Sequence, residues 1–158
     1  MPTYRYVAEA AIALHAYVQA GIVAQLRLVE IAYDESSGYL PDPIAVLDYP
    51  APLDNRSPLV RVFEDGMRPE NVGGQRNGIW TVPCTIVWSY KGDADLSKSQ
   101  RIRRGWYEAL IRLLVADPQA ASTPVHVLIR EGALLYTEGD DSATRLLFSQ
   151  TVDVVVEG

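Results

Sequence analysis

Three side chains in this sequence could ligate a soft metal or act in nucleophilic catalysis: His15, His126 and Cys84. A structural zinc site usually takes four ligands at short paired spacings, and a Cys–His nucleophile pair needs an exposed, activated thiolate. Here the three residues are scattered, and strand alternation places Cys84 between Val82 and Ile86 on a buried face. The sequence therefore predicts a core cysteine, with no catalytic residue, no metal site and no cofactor.

A glycine-rich segment at residues 71–78 (NVGGQRNG) invites comparison with phosphate-binding loops. Those loops place backbone amides at a helix N-terminus, usually with Lys and Ser/Thr following. In this chain a strand follows, without a suitably placed Lys or Ser/Thr. We therefore expect residues 65–78 to form a hairpin loop. Its length is unusual for a hairpin, and long ordered loops often make contacts.

The turn carrying Glu138, Asp140 and Asp141 could suggest calcium. It lacks the alternate-position ligands and the later glutamate of an EF-hand loop. A solvated hairpin tip explains it better, and nothing in the sequence singles out a carboxylate pair for acid–base catalysis.

A second helical segment is basic, although the chain has a net charge of −6 and a pI of about 4.8. This acidity argues against a nucleic-acid binder that neutralises many phosphates. The basic segment is either a solvated helix face or an interface that meets acidic turns of another copy; such complementarity directs pairing more than it adds affinity. Its basic residues are Lys98, Arg101, Arg103, Arg104 and Arg112.

Length and composition describe an ordinary globular chain. Its 158 residues suit one domain, it is 48% hydrophobic, and its single cysteine suits a reducing compartment. The N-terminus lacks the basic region of a signal peptide. Apolar residues from 7 to 29 are interrupted too often for a membrane span, so we expect a cytoplasmic amphipathic helix. The interrupting residues are Glu9, His15, Gln19, Gln25 and Arg27.

The N-terminal third predicts a helix followed by a connector. Abundant alanine favours a helix over residues 4–33, in which Gly21 could mark a bend between two pieces. Five prolines punctuate residues 38–58. Within this connector, residues 44–47 could form either a short strand or an ordered coil.

The middle of the chain predicts two strands and a helix. Residues 59–63 form the first strand, and residues 79–90 alternate with period two, facing Val82, Ile86 and Trp88 towards the core. Pro83 falls on the wetter face and predicts a bulge or an open side. A helix follows, capped by one of the aspartates at 93 and 95 and stopped at residues 117–118. Its apolar stripe is Ile102, Trp106, Ala109, Leu110, Leu113 and Leu114.

The C-terminal part predicts more strand. Residues 125–136 are either one strand or a tight hairpin that turns at Glu131-Gly132. The last run alternates Leu146, Phe148 and Val152 with polar residues, and we expect it to pair within the sheet. The fold class is therefore α+β: one domain, 1–158, with an antiparallel or mixed sheet of about four to five strands against two amphipathic helices. It comprises a helical region (4–35), a connector (38–58) and a β/α/β core (58–157).

Four segments together carry a resemblance to a known family. They are the alanine-rich start EAAIALHAYVQAGIVAQLRLVEIAY, the connector LPDPIAVLDYPAP leading to SPLVRVFEDG, the strand and helix GIWTVPCTIVWSYKGDADLSKSQRIRRGWYEALIRLL, and the last strand ATRLLFSQTVDVVVEG. In this layout the chain resembles the tail terminator, or tail completion and neck, proteins of long-tailed bacteriophages.

The resemblance implies a structural virion protein rather than an enzyme. Members of that family form homohexameric rings that sit on the finished tail tube, stop its polymerisation and join it to the head connector. The implied partners are other copies of the chain, the tail tube protein and the head-completion protein, with DNA passing through the lumen without specific binding and no membrane contact. The implied location is the tail or neck of the virion, after assembly in the host cytoplasm. An acidic chain is consistent with a channel through which DNA slides.

Two alternatives remain at the level of sequence. One is another head–tail connector or head-completion ring, which would share ring assembly. The other is a small-molecule-binding domain or enzyme with a pocket lined by Trp80, Trp88, Trp106 or Tyr107. For the ring, we expect partner contacts in the 65–78 loop, the 137–143 turn and the basic helix. The expected contact residues are Arg68, Glu70, Gln75, Arg76, Arg101, Arg104, Glu138, Asp140 and Asp141.

Overall fold

The computed structural model describes residues 7–65, 68–70, 79–92, 95–116, 125–138 and 144–157. This part of the chain forms two long helices and six strands, with four strands between the helices and two after the second helix. In order they are α1 (Val7–Ala32), β1 (Ala45–Leu47), β2 (Leu59–Glu64), β3 (Arg68–Glu70), β4 (Ile79–Lys91), α2 (Leu96–Ala116), β5 (Val125–Glu138) and β6 (Thr144–Glu157).

The strands form one mixed sheet in the order β1-β2-β4-β6-β5, with β3 also paired to β4. The β1–β2 pair is parallel, and the other pairs are antiparallel. The predicted α+β class is confirmed. The sheet has six strands, whereas the sequence predicts about four to five. The additional short strands are β1, which lies in the connector, and β3, which lies in the segment expected to form the 65–78 loop.

Strand β4 lies at the centre and confirms the predicted alternation. Val82 pairs with Val154 and Trp88 with Phe148, and all four side chains are buried. On its other side β4 changes partner near Pro83, because β2 pairs as far as Cys84 and β3 pairs from Thr81. The irregularity predicted at Pro83 is therefore present.

The expectation that Pro83 lies on a wet face is wrong. Pro83 is buried, as are Thr81 and Ser89 on the same face. A central strand has neighbours on both sides, and these limit the exposure of its small residues even on the face where neither described helix packs.

Both helices pack on one face of the sheet and share one core with it. Leu14, Val18 and Leu26 of α1 are fully buried, and the predicted stripe of α2 is buried along its whole length. Trp88 stacks on Phe148 with ring centroids 5.2 Å apart. Asp95 caps α2, since its Oδ1 accepts a hydrogen bond from the amide of Lys98.

Helix α1 is uninterrupted, so the suggestion of two pieces meeting at Gly21 is wrong. Gly21 instead serves helix packing. A Cβ at this position would lie 2.5 Å from Cδ1 of Leu113 on α2. The glycine therefore allows the two helices to approach closely.

Strand β5 runs unbroken past Glu131-Gly132, and the hairpin alternative is wrong. The pairing with β6 shifts between Ile129 and Gly132, which is a β-bulge. The last strand, β6, lies between β4 and β5, so its predicted pairing within the sheet is confirmed.

By length and composition alone, residues Ala10–Ala32 could cross a membrane, with a mean hydropathy of 1.3. This differs from the expectation based on the interrupting polar residues. A core helix of a soluble domain meets the same criteria, and one face of α1 does enter the core described above.

Candidate functional site

A groove of about 270 Å³ lies between the end of α1 and the first half of α2. We call it the α1–α2 groove. Its residues come from α1, from the turn after it and from α2: Val29, Glu30, Tyr33, Glu35, Tyr39, Leu40, Arg101, Arg104, Gly105 and Glu108.

The floor of the groove depends on the close approach of Leu40 to α2. Leu40 is 3% exposed and packs over Gly105, where an added Cβ would lie 2.7 Å from Cδ2 of Leu40. The Nε1 of Trp106 donates a hydrogen bond to the carbonyl of Pro41 at 3.0 Å. The turn is therefore held against α2 by both packing and a hydrogen bond.

A buried carboxylate holds the same turn to α1. Oε2 of Glu30 accepts a hydrogen bond from the amide of Leu40 at 2.8 Å, and Oε1 lies 3.0 Å from Nε of Arg27. Arg27 also donates to the carbonyl of Leu40 and to Asp42. Because Glu30 is only 2% exposed, this ion pair is shielded from solvent on one side. We call these groups the Glu30 clamp.

The rim of the groove carries both charges. Arg101 is exposed, with its guanidinium carbon 5.9 Å from the centroid of the Tyr39 ring, and Arg104 is exposed beside it. Across the groove, Tyr33 hydrogen-bonds to Glu108, and this bond raises the pKa of the Tyr33 hydroxyl. Glu108 also accepts a hydrogen bond from Arg112 at 3.0 Å.

These contacts suit the groove for binding. The carboxylates of Glu30 and Glu108 are committed to arginine, amide or hydroxyl donors. The apolar floor and the two exposed arginines would accept a segment that combines an apolar side chain with negative charge.

The structure brings two of the expected contact residues together and leaves the others apart or undescribed. Arg101 and Arg104 share the groove rim. Arg68 and Glu70 lie in β3 and Glu138 ends β5, but only their backbone positions are described. Gln75, Arg76, Asp140 and Asp141 lie outside the described residues.

Not all of the basic helix is available for contact. Arg103 is 7% exposed, and its guanidinium bonds Gln100 at 2.7 Å and the carbonyl of Leu147. Burial lowers the pKa of Arg103. Arg103 therefore belongs to the packing between α2 and the sheet. Arg101, Arg104 and Arg112 are exposed, and Arg112 pairs with Glu108.

The residues first considered for chemistry lie apart. Cys84 is fully buried, and burial, with nearby carboxylates, raises the pKa of its thiol to about 12, which confirms the core cysteine. His15 Nε2 lies 2.8 Å from the carbonyl of Val46 and ties β1 to α1. Among the described residues, no three His, Cys, Asp or Glu side chains are grouped to hold a metal.

The small-molecule alternative predicts a pocket lined by aromatic residues, and this prediction is wrong for Trp88 and Trp106. Trp88 and Trp106 pack against each other in the core, at 0% and 1% exposure. Tyr107 stands edge-on to Phe148. For Trp80 the structure describes only the backbone, in β4.

Most residues of the groove were missed by sequence reasoning. One available signal was Glu30, a carboxylate next to Val29 on the buried side of an apolar helix. Another was Leu40, an isolated large apolar residue between a polar turn and the first proline of the connector. Neither signal identified α2 as the other wall of the groove. The contact between the turn and α2 joins positions 65 residues apart, as the hydrogen bond between Pro41 and Trp106 shows.

Two further surfaces are apolar and exposed. The outer face of α1, opposite its core face, consists of Ile12, Ala16, Ala20, Val23, Ala24, Leu28 and Ile31. On the helix-facing side of β5, Ile129 and Leu134 pair with buried residues of β6 yet remain 36% and 49% exposed, while Tyr107 of α2 lies close to Gly132 between them.

Comparison of the chain with protein-family models and with curated proteins found no match.

Proposed function

We propose that this chain is the tail terminator subunit of a long-tailed bacteriophage and forms a ring, of six copies by analogy with the family it resembles. The ring caps the tail tube, stops its polymerisation and joins it to the head connector. The resemblance across the four segments quoted above supports the specific role.

The observation that carries the proposal is the exposure of large apolar side chains on two separate elements. Ile31 is 74% exposed and Leu134 is 49% exposed. A small protein that works alone rarely leaves such surfaces uncovered. A chain that works as a subunit covers them with its neighbours, and two different surfaces suit a cyclic arrangement.

The α1–α2 groove is a suitable place for a partner outside the ring. Its apolar floor and the exposed Arg101 and Arg104 match a segment with an apolar anchor and acidic neighbours. Such a segment would come from the tail tube or from the head connector. The chain has a net charge of −6, so these two arginines place positive charge beside the groove of an otherwise acidic protein. They would direct an acidic partner to the groove.

The test is whether the protein stops tube growth. Tail tube protein polymerised with the wild-type chain should give short, capped tubes bearing a ring at one end in electron micrographs. The double variant Arg101→Glu/Arg104→Glu should cap poorly, since it reverses the charge beside the groove. Arg56→Glu is the matched control, because Arg56 pairs with Asp54 on the exposed connector.

A wild-type chain that remains monomeric both alone and with tail tubes would contradict the proposal. Rings that bind a head portal but leave tube length unchanged would favour the alternative of another connector or head-completion protein.

A further inference from the structure

Three strands each place one cation at the same corner of the sheet, on the face opposite the helices. They are Arg61 in β2, Lys91 in β4 and Arg145 in β6. Lys91 pairs directly with Arg145, and Arg61 hydrogen-bonds to Ser89, two residues before Lys91. We call this group the cationic corner. The residues beside these cations in the same strands face the core, which fixes the cations on the other face: Val60, Val62, Tyr90 and Leu146.

The loop at residues 54–57 lies against the cationic corner and contacts both arginines. The carbonyl of Asp54 accepts a hydrogen bond from Nη2 of Arg61 at 3.4 Å, and Oδ1 of Asn55 accepts one from Nη2 of Arg145 at 3.5 Å. Because adjacent loop residues contact the two guanidiniums, Arg61 and Arg145 lie close to each other. Both bonds are long, since charged donors favour about 2.7–2.9 Å. Neither contact is therefore a strong one.

The two arginines lack an anionic partner. Within the described part of the chain neither forms an ion pair, and the carboxylate of Asp54 is bound instead by Nε and Nη2 of Arg56. The Nε of Arg61 is buried without a hydrogen-bond acceptor. Burial lowers the pKa of the Arg61 guanidinium and Arg145 lowers it further, while Asp54 opposes both. A partly desolvated, unpaired charge is costly, and an anion from outside would offset that cost.

Two serine hydroxyls at the cationic corner have a proton to donate. Oγ of Ser89 accepts a hydrogen bond from Nη1 of Arg61 at 3.3 Å, and Oγ of Ser57 accepts one from the amide of Lys91 at 2.8 Å. Both oxygens act as acceptors in these bonds, which leaves each hydroxyl proton for another acceptor. The corner therefore offers guanidinium and hydroxyl donors together.

We propose that the cationic corner binds phosphates of a nucleic-acid backbone, through the guanidiniums of Arg61 and Arg145 and the hydroxyls of Ser57 and Ser89. Arginine and hydroxyl donors commonly contact phosphate oxygens. These donors are spread over three strands and a loop rather than closed around one ion, which suits successive phosphates of a polymer better than a free anion. Few contacts, in a chain with a net charge of −6, give weak binding without sequence preference. The inference does not rest on the tail terminator role.

Fluorescence anisotropy with a short labelled DNA duplex tests the site. The affinity of the wild-type chain should fall linearly with NaCl concentration on logarithmic axes, because each neutralised phosphate releases counterions. Arg145→Gln should weaken binding about five- to tenfold at low salt and reduce the slope by about one for each bound subunit. Two duplexes of unrelated sequence should bind equally, since phosphate contacts carry no sequence information.

The choice of variants separates the site from folding and from net charge. Arg145→Gln removes only the long contact with Asn55 among those described, so it should fold as the wild type does, which circular dichroism checks. Arg61→Gln should weaken DNA binding in the same way. Arg112→Gln is the matched control, because it changes the net charge equally but lies on α2, on the other side of the sheet. It should leave the affinity within about twofold of the wild type.

Four outcomes would overturn the proposal. The first is a wild-type chain that does not bind the duplex at low salt, and the second is equal weakening by Arg145→Gln and Arg112→Gln. The third is displacement of the duplex by inorganic phosphate far below the NaCl concentration of equal effect, which would make a free phosphate ion the ligand. The fourth is polyglutamate binding as tight as DNA binding and equally dependent on Arg145, which would indicate an acidic peptide. Each would leave the tail terminator role standing, because tube length tests that role separately.

Discussion

Gln150 is a fully buried amide in β6, a strand whose core-facing neighbours are apolar. Its Nε2 donates to the carbonyls of Arg130 and Thr151 at 2.7 and 3.0 Å, and its Oε1 accepts from the hydroxyl of Tyr107 at 2.6 Å. The Arg130 carbonyl belongs to the bulge of β5. One side chain therefore satisfies the irregular backbone of the bulge and links it to α2.

Gly132 makes this arrangement possible, and Gly132→Ala should be destabilising. An added Cβ would collide with the Tyr107 hydroxyl and lie 2.7 Å from Oε1 of Gln150, displacing the hydrogen bond between them. We expect a loss of about 1–3 kcal/mol in the free energy of unfolding, measured in urea. Tyr107→Phe should cost a similar amount, because it removes the same donor.

The double variant distinguishes this cause from general strain. If both substitutions act through the Tyr107–Gln150 hydrogen bond, the double variant should lose clearly less free energy of unfolding than the sum of the two single losses. Fully additive losses would show that Gly132 matters for another reason.

The same residues show what sequence can predict at this scale. Alternation correctly assigned Cys84, Trp88 and Phe148 to the core, because burial on one face of a strand repeats every two residues. Glu131-Gly132 was ambiguous, since glycine is equally typical of a turn and of a bulge. The deciding partner, Gln150, lies in a different strand and carries no local signal.

Long, regular elements were predictable and short ones were not. Strand β4 and helix α2 each repeat their pattern many times, so the helix or strand period is clear. Strands β1 and β3 have three residues each, too few to show a period, and they exist because neighbouring strands pair with them. The α1–α2 groove was likewise hidden, because it depends on where the connector turns back over α2.

The connector itself is positioned by the Glu30 clamp, and Glu30→Ala should release it. The substitution leaves the amide of Leu40 without its acceptor and Arg27 without its buried partner. We expect a loss of about 2–3 kcal/mol in the free energy of unfolding. Chymotrypsin should also cut native protein faster at Tyr39 or Tyr49, which flank the released segment.

Two control variants test whether the loss of stability comes from the hydrogen bonds of Glu30. Glu30→Gln retains an acceptor for the Leu40 amide and should lose less than Glu30→Ala. Arg112→Ala removes an exposed pair with Glu108 and should cost under about 0.5 kcal/mol. Equal losses in Glu30→Ala and Arg112→Ala would contradict a structural role for the clamp.

At the scale of the whole molecule, one layer of two helices packs on one face of a six-stranded sheet. The charged and apolar surfaces are separated. Arg101 and Arg104 are near the α1–α2 groove, whereas the outer face of α1 and the exposed Ile129 and Leu134 of β5 are uncharged. Contacts between copies and contacts with outside partners should therefore respond differently to salt.

We predict that self-association is insensitive to salt. Raising NaCl from about 50 mM to about 500 mM screens exposed charges, but it does not weaken the burial of apolar surface. The dissociation constant between copies, measured by sedimentation, should change by less than about threefold. Binding of tail tubes through Arg101 and Arg104 should weaken by about tenfold over the same range. If self-association instead weakened strongly with salt, the contact between copies would be formed by acidic turns and the basic helix rather than by apolar surfaces.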